Sequence, residues 1–133
     1  MIVLHASATV EWLLVRDAAA AVADHLGDPE ISVHAPSLLG VEVAAALRGL
    51  VLGGHTSSAR AELALADLAA ADIAIHDPTP LLPRAWQLRA NLTPYDAVYV
   101  ALAEALGATL VTTDARIARA PGTRAEITVA TVE

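Results

Sequence analysis

Five short runs of β-type residues, separated by longer helical stretches, constrain this chain more than any other feature. The runs fall at 2–4, 31–33, 73–75, 109–112 and 127–130. Apolar residues between them recur at helical spacing over 7–15, 17–26, 37–52, 56–71, 79–90, 94–106 and 115–119. Strands joined through helices cannot close tight hairpins, so they pair in parallel, and a parallel sheet must be covered on both faces. The expectation is an α/β fold with a central, mostly parallel five-stranded sheet and helices on both faces. Local punctuation supports several boundaries: Pro36-Ser37 precedes the third helix, Gly53-Gly54 follows it, and Thr93-Pro94 opens the sixth.

A chain of 133 residues suits one domain, able to bury about two thirds of the surface its unfolded form exposes. No repeat, low-complexity tail or charge block divides it, so a single domain is expected over 1–133. Although 56% of the residues are hydrophobic, Glu104 interrupts the apolar stretch 97–110 and Arg48 interrupts 38–52. Neither reaches the roughly 20 apolar residues of a spanning helix. Much of the apolar content is alanine, with runs at 18–21, 44–46 and 69–71 that predict close helix packing. The absence of cysteine excludes disulfides, zinc-thiolate sites and thiol nucleophiles. The N-terminus lacks the pattern of a signal peptide, and a cytoplasmic location is expected. A net charge of −7 argues against a protein that simply coats nucleic acid, because phosphate binding needs a basic surface. It leaves room for a local arginine patch together with a metal.

In sheets of this kind the carboxyl ends of the strands line one edge, where ligands bind. His5 directly follows the first strand and Asp114 the fourth, Asp96 lies in the first turn of the sixth helix, and Glu42 in the first half of the third. Each acid also has a plain reading. Thr93-Pro94-Tyr95-Asp96 is a helix start with threonine at N-cap, proline at N1 and an acid at N3, and Asp114 reads equally as a cap for 115–119. Glu42 is harder to dismiss: it sits among Leu38, Leu39, Val41 and Val43, and Arg48, six residues on, is at the wrong spacing to meet it. A carboxylate in such company must be paired, protonated or part of a site. Clustered carboxylates are tolerable at neutral pH chiefly when a divalent cation neutralises them, and hard oxygen ligands suit Mg2+ or Mn2+. The implied chemistry is metal-assisted hydrolysis of a phosphodiester, which requires no side-chain nucleophile.

The stretches MIVLHASATVEWLL, APSLLGVEVAAALR and LTPYDAVYVALAEALGATLVTTDARIARA, in that order, resemble the PIN-domain ribonucleases, in particular the VapC-type toxins of bacterial toxin–antitoxin pairs. The resemblance covers nearly the whole chain and is most specific over 92–120. It implies that Glu42, Asp96 and Asp114 ligate or organise a metal, Mg2+ or Mn2+. Ser7 and Thr112 would be hydroxyl neighbours of the site, and Arg116 a phosphate or site contact. It further implies an endoribonuclease that inhibits translation, with tRNA among the candidate substrates, a homodimer, and a VapB-type antitoxin that covers the site. Family members usually carry aspartate where this chain has His5. An imidazole removes a negative charge and replaces two hard oxygens with one nitrogen, an altered ligand that suits Mn2+ better than Mg2+. Three accounts of His5 stand open: an engineered silencing, natural degeneration, or a working site with changed metal choice.

Other residues carry weaker signals. Arg84, Arg89 and Arg119, with Arg116, are the candidates for RNA phosphate contact, against a solvated-face reading. Glu11 reads either as a fifth acid near the site or as the exposed stripe of the first helix. Trp12 and Trp86 read as core or interface anchors, and Tyr95 and Tyr99, four apart, as partners on one helix face. His25, His34, His55 and His76 show no zinc spacing. The rival function is a PIN-like protein that binds an antitoxin or RNA without cleaving. An unrelated phosphohydrolase lacks support, because no Asp-x-Asp follows a strand and no glycine-rich phosphate loop precedes a helix.

Overall fold

β1 (Ile2–Leu4), β2 (Val33–Pro36), β3 (Ile73–His76), β4 (Thr109–Thr112) and β5 (Ile127–Val129) lie in the order β3-β2-β1-β4-β5 in the computed structural model, which describes residues 1–132. All four pairings are parallel, so the sheet is wholly rather than mostly parallel. The helices are α1 (Ala6–Leu13), α2 (Ala19–Leu26), α3 (Leu39–Leu52), α4 (Ser58–Ala70), α5 (Leu82–Gln87), α6 (Pro94–Leu106) and α7 (Ala115–Arg119). The chain steps outward from β1 to β2 and β3, then returns to lay β4 on the other side of β1. That reversal opens a crevice at the carboxyl ends of β1 and β4, the place where open α/β sheets bind ligands.

Successive residues of a strand face opposite sides, and β1 divides its side chains accordingly. Val3 joins a larger core with Leu39, Val43, Leu47, Tyr99 and Leu110, while Ile2 and Leu4 join a smaller one with Ala8, Val22, Val111 and Ala130. Trp12 packs against both cores. α6 is buried without interruption from Ala97 to Ala103, as a helix apolar on all sides must be, and it packs on β1, β2, β4 and α5. Thr93 caps its start and Gly107, at φ 64°, closes its end in the left-handed conformation.

Several expected boundaries move, each for a local reason. β2 begins at Val33, because that residue is the first to pair with both Ile2 and Ile73; Ile31 stays outside the ladder and packs on the smaller core. β2 tolerates Pro36 because β1 pairs only as far as His34, so no N–H is required there on that side. The helix expected over 79–90 is instead a 3-10 turn at Thr79–Leu81 followed by the short α5, since Pro80 and Pro83 have no N–H to give. Trp86 is not in the core: it is 64% exposed, with the Arg89 guanidinium stacked 4.7 Å from its ring. Tyr99 is fully buried whereas Tyr95, one turn earlier, is 65% exposed where α6 emerges from the core.

α1 stops at Leu13, short of the expected 15, because Val15 takes φ 53° to turn the chain toward α2. A β-branched residue is strained there, and Val15 is 77% exposed, so little packing offsets the strain. Val15→Gly is expected to raise the unfolding free energy by about 1 kcal/mol, read as a higher urea midpoint at unchanged slope.

Candidate active site

His5 is the first residue past β1, and its N–H still donates to the Val111 carbonyl on β4 at 3.0 Å. This fixes it at the crevice between the two strands. It is also the N-cap of α1, with extended backbone (φ −72°, ψ 151°) and a ring Nδ1 that accepts from the Ser7 N–H at 3.4 Å. The residue is only 6% exposed, so both ring nitrogens need partners. Nδ1 lies 2.8 Å from Ser7 Oγ and 3.1 Å from Thr112 Oγ1, and Nε2 lies 3.0 Å from Asp96 Oδ1. The two hydroxyls are 3.2 Å apart. Each also accepts a backbone N–H at 3.0 Å, Ser7 Oγ from Thr113 and Thr112 Oγ1 from Asp114.

α6 supplies the opposite wall. Thr93 Oγ1 accepts the Asp96 N–H at 3.2 Å, as the helix-start reading requires, but the Asp96 carboxylate turns to His5. Tyr99, one turn on along the same face, meets the His5 ring edge-on, with ring centres 4.7 Å apart and planes at 71°. Its hydroxyl donates to Glu42 Oε1 on α3 at 2.6 Å. Burial raises the Glu42 carboxyl above the usual range, the nearby Asp96 adding to the rise, while the Tyr99 hydrogen bond and His5 oppose it. Burial and the bond to Glu42 likewise push the Tyr99 phenol up, so it stays a donor at any ordinary pH.

Asp114 performs the capping role foreseen for it, accepting the Arg116 N–H at 3.0 Å at the start of α7. The Arg116 side chain then forks onto both its oxygens, at 3.1 and 2.7 Å. That pairing holds the Asp114 carboxyl below the usual range against its partial burial. His5, Asp96, Glu42, Thr112, Ser7 and Asp114 therefore gather at one end of the sheet, the three acids held by three different partners, His5, Tyr99 and Arg116. Among the described residues, no three His, Asp or Glu side chains converge as ligands of one ion.

Tyr99 bridges His5 and Glu42, a role beyond the shared helix face its spacing from Tyr95 predicts; its position three after Asp96 on α6 is the signal in the sequence. Glu11 is not a solvated stripe: its side chain is 24% exposed and Oε2 lies 3.3 Å from Arg16 Nε, beside a groove of about 260 Å3 lined also by Ser7, Ala46, Leu50 and Thr113. Arg84 is held by Glu104 at 2.7 and 3.1 Å and by the Gly122 carbonyl at 2.7 Å. Arg89 is stacked on Trp86 and Arg119 lies exposed in the last turn of α7, and none of these three touches the cluster. His34 and His76, on neighbouring strands, share a 2.8 Å Nδ1–Nε2 contact, and burial together with His76 lowers the His34 pKa. No helix among the described residues is long and apolar enough to cross a membrane.

A five-stranded parallel sheet with an acid-lined crevice at its switch point, extending over almost all of the chain, is the architecture of a PIN domain, and the chain belongs to that family, which matches residues 2–122. Within it the chain is a homologue of the VapC ribonucleases. It is 44% identical over 126 residues to Ribonuclease VapC1 of Mycobacterium tuberculosis, covering 94% of each chain. To Ribonuclease VapC12 of the same organism it is 41% identical over 127 residues, covering 96% of this chain and 97% of the other. The crystal structure of VapBC2 from Rickettsia felis bound to a DNA fragment from their promoter has the same fold, at a TM-score of 0.67 and 16% identity, covering 97% of this chain and 98% of that chain.

A carboxyl whose pKa rises on folding makes the folded state bind more protons than the unfolded one from about pH 4.5 up to its raised value. Stability therefore falls as pH rises through that window, and the deficit persists above it. Glu42→Gln keeps an oxygen for the Tyr99 hydroxyl and removes the charge. Its melting temperature in metal-free buffer is expected to exceed that of the unsubstituted chain at pH 7 to 8, with the gap closing below about pH 4. A gap independent of pH would assign the effect to packing.

Proposed function

We propose that the chain is a VapC-type endoribonuclease toxin that hydrolyses RNA phosphodiesters with Mg2+ or Mn2+. His5, in place of the family's aspartate, makes it slower than its relatives. The observation carrying this reading is the gathering of residues 5, 42, 96 and 112–114, from distant parts of the chain, at the β1/β4 crevice, in a homologue of proteins named as ribonucleases.

The donor types fit a hard divalent cation, and the rise that burial and the nearby Asp96 impose on the Glu42 carboxyl is of the kind such a cation relieves. Asp96 and Glu42 would hold it, with Asp114 once freed from Arg116. When bound, a divalent cation supplies acidity to an attacking water and positive charge to the reacting phosphate. The chain's own groups do the rest. Tyr99 fixes one Glu42 oxygen, Thr112 and Ser7 hold the loop that carries Asp114, and Arg116 presents a guanidinium at the mouth, suited to a phosphate of the bound RNA. The remaining arginines would contribute only to general attraction, Arg84 least because its fork is filled.

The partners follow the relatives: a VapB-type antitoxin, supported by the VapBC2 complex named above, and a second copy of the chain in a cytoplasmic homodimer. A second reading, a PIN protein that binds antitoxin or RNA without cleaving, is favoured by the hydrogen bond that ties Asp96 to His5.

The test is cleavage of a pool of tRNA and structured RNA in Mg2+ and in Mn2+. The chain is expected to cleave slowly, His5→Asp about 10- to 100-fold faster, and the double variant His5→Asp, Asp96→Asn not detectably. A folded His5→Asp chain that leaves all RNA intact would transfer the conclusion to the second reading. Undiminished cleavage by the double variant would remove Asp96 from the chemistry.

A further inference from the structure

The proton positions around His5 follow from its neighbours. A backbone N–H can only donate, and the Ser7 N–H is directed at Nδ1, so Nδ1 carries a lone pair. An ionised carboxylate can only accept, so Nε2, at 3.0 Å from Asp96 Oδ1, carries the hydrogen. The hydroxyls agree with this assignment. Ser7 Oγ, having accepted the Thr113 N–H, turns its own hydrogen to Nδ1 at 2.8 Å. Thr112 Oγ1, having accepted the Asp114 N–H, turns its hydrogen to Ser7 Oγ at 3.2 Å. Every donor then has an acceptor. With the hydrogen on Nδ1, an N–H would face the Ser7 N–H, and the Nε2 lone pair would face a carboxylate oxygen.

From this tautomer we infer that His5 is a competitor for Asp96 and not a metal ligand: its Nε2–H occupies the carboxylate oxygen that a cation would otherwise take. The inference rests on the reading of this crevice as a cation site and adds what His5 does there. Nε2 offers no lone pair toward the acids. Nor does the ring have room to step aside, since the residue is 6% exposed and lies edge-on to Tyr99 at 4.7 Å. A cation reaching Asp96 must first break the Nε2–H bond, and its apparent affinity is reduced by the fraction of time that bond is formed. Aspartate at position 5 would do the reverse, adding ligand oxygens and removing the donor.

A ligand and a competitor give opposite signs when the ring is deleted, and this separates them. Binding of Mn2+ alone to the full chain would be measured by the electron paramagnetic resonance signal of free Mn2+, for the unsubstituted chain, His5→Ala and His5→Asp. The expected order is His5→Asp tightest, then His5→Ala, then the unsubstituted chain, with His5→Ala gaining about tenfold. Weaker binding by His5→Ala would make His5 a ligand and overturn the proposal. Absence of binding in all three, His5→Asp included, would instead bring down the cation-site reading and the proposal with it. Should His5→Ala fail to fold, nitrogen-15 spectra of the unsubstituted chain decide. Hydrogen on Nε2, unchanged by Zn2+, is expected, and a coordination shift at Nε2 would overturn the proposal.

Discussion

The placing of Asp96 and Tyr99 depends on the burial of the middle of α6, Ala97 to Ala103. A stretch that must hide all of its sides can only lie in the middle of the molecule, so this part of α6 is pressed against β1, β2 and β4 and against α5. Its first turn then falls beside the carboxyl ends of the strands, which places Asp96 and Tyr99 opposite His5 and Glu42. The Arg84 to Glu104 ion pair, which ties α5 to the far end of α6, holds the same geometry from behind. Nothing at the crevice has to be positioned by a loop alone.

The crevice itself answers a charge problem. Three acids brought to one end of a sheet repel one another, and each is stabilised separately: Asp114 by Arg116, Glu42 by the Tyr99 hydroxyl, Asp96 by the His5 ring. The pairings differ in strength for a physical reason. Arg116 is largely exposed but forks onto both oxygens of Asp114 and lowers its pKa. A single phenol hydrogen bond does not outweigh the desolvation of Glu42, whose pKa stays raised. Glu42 is thus the strained member of the set, and a phosphate or a cation arriving at the crevice would disturb the pairings unequally.

Much of this was legible in the residues. Strand runs between helical patterns gave the number and parallel direction of the strands, and β1, β4, α6 and α7 fall where patterning and caps place them, because their signals are local: an N-cap, a terminal glycine, an acid at the first turn. β2 was misplaced because its start is set by partners in other strands, Ile2 and Ile73, that no local window contains. The four members of the crevice were recognisable as chemistry out of place, whereas the contacts among them were not. That Asp96 turns to His5 and not back to its own helix start is a tertiary fact, as is the meeting of His34 and His76 across two strands. Of the two readings of Trp86, core or interface anchor, the core one fails because a tryptophan beside leucines on a six-residue helix has two sides to choose from.

His5 is an N-cap as well as a member of the crevice. Aspartate is among the best N-cap residues, so exchanging one for the other leaves the start of α1 supported by a side-chain acceptor in both cases. Histidine and aspartate codons differ by a single base. A lineage could therefore cross between the two forms in one mutational step with the start of α1 capped before and after it. Position 5 is where the charge of the crevice can change while the first helix keeps its cap.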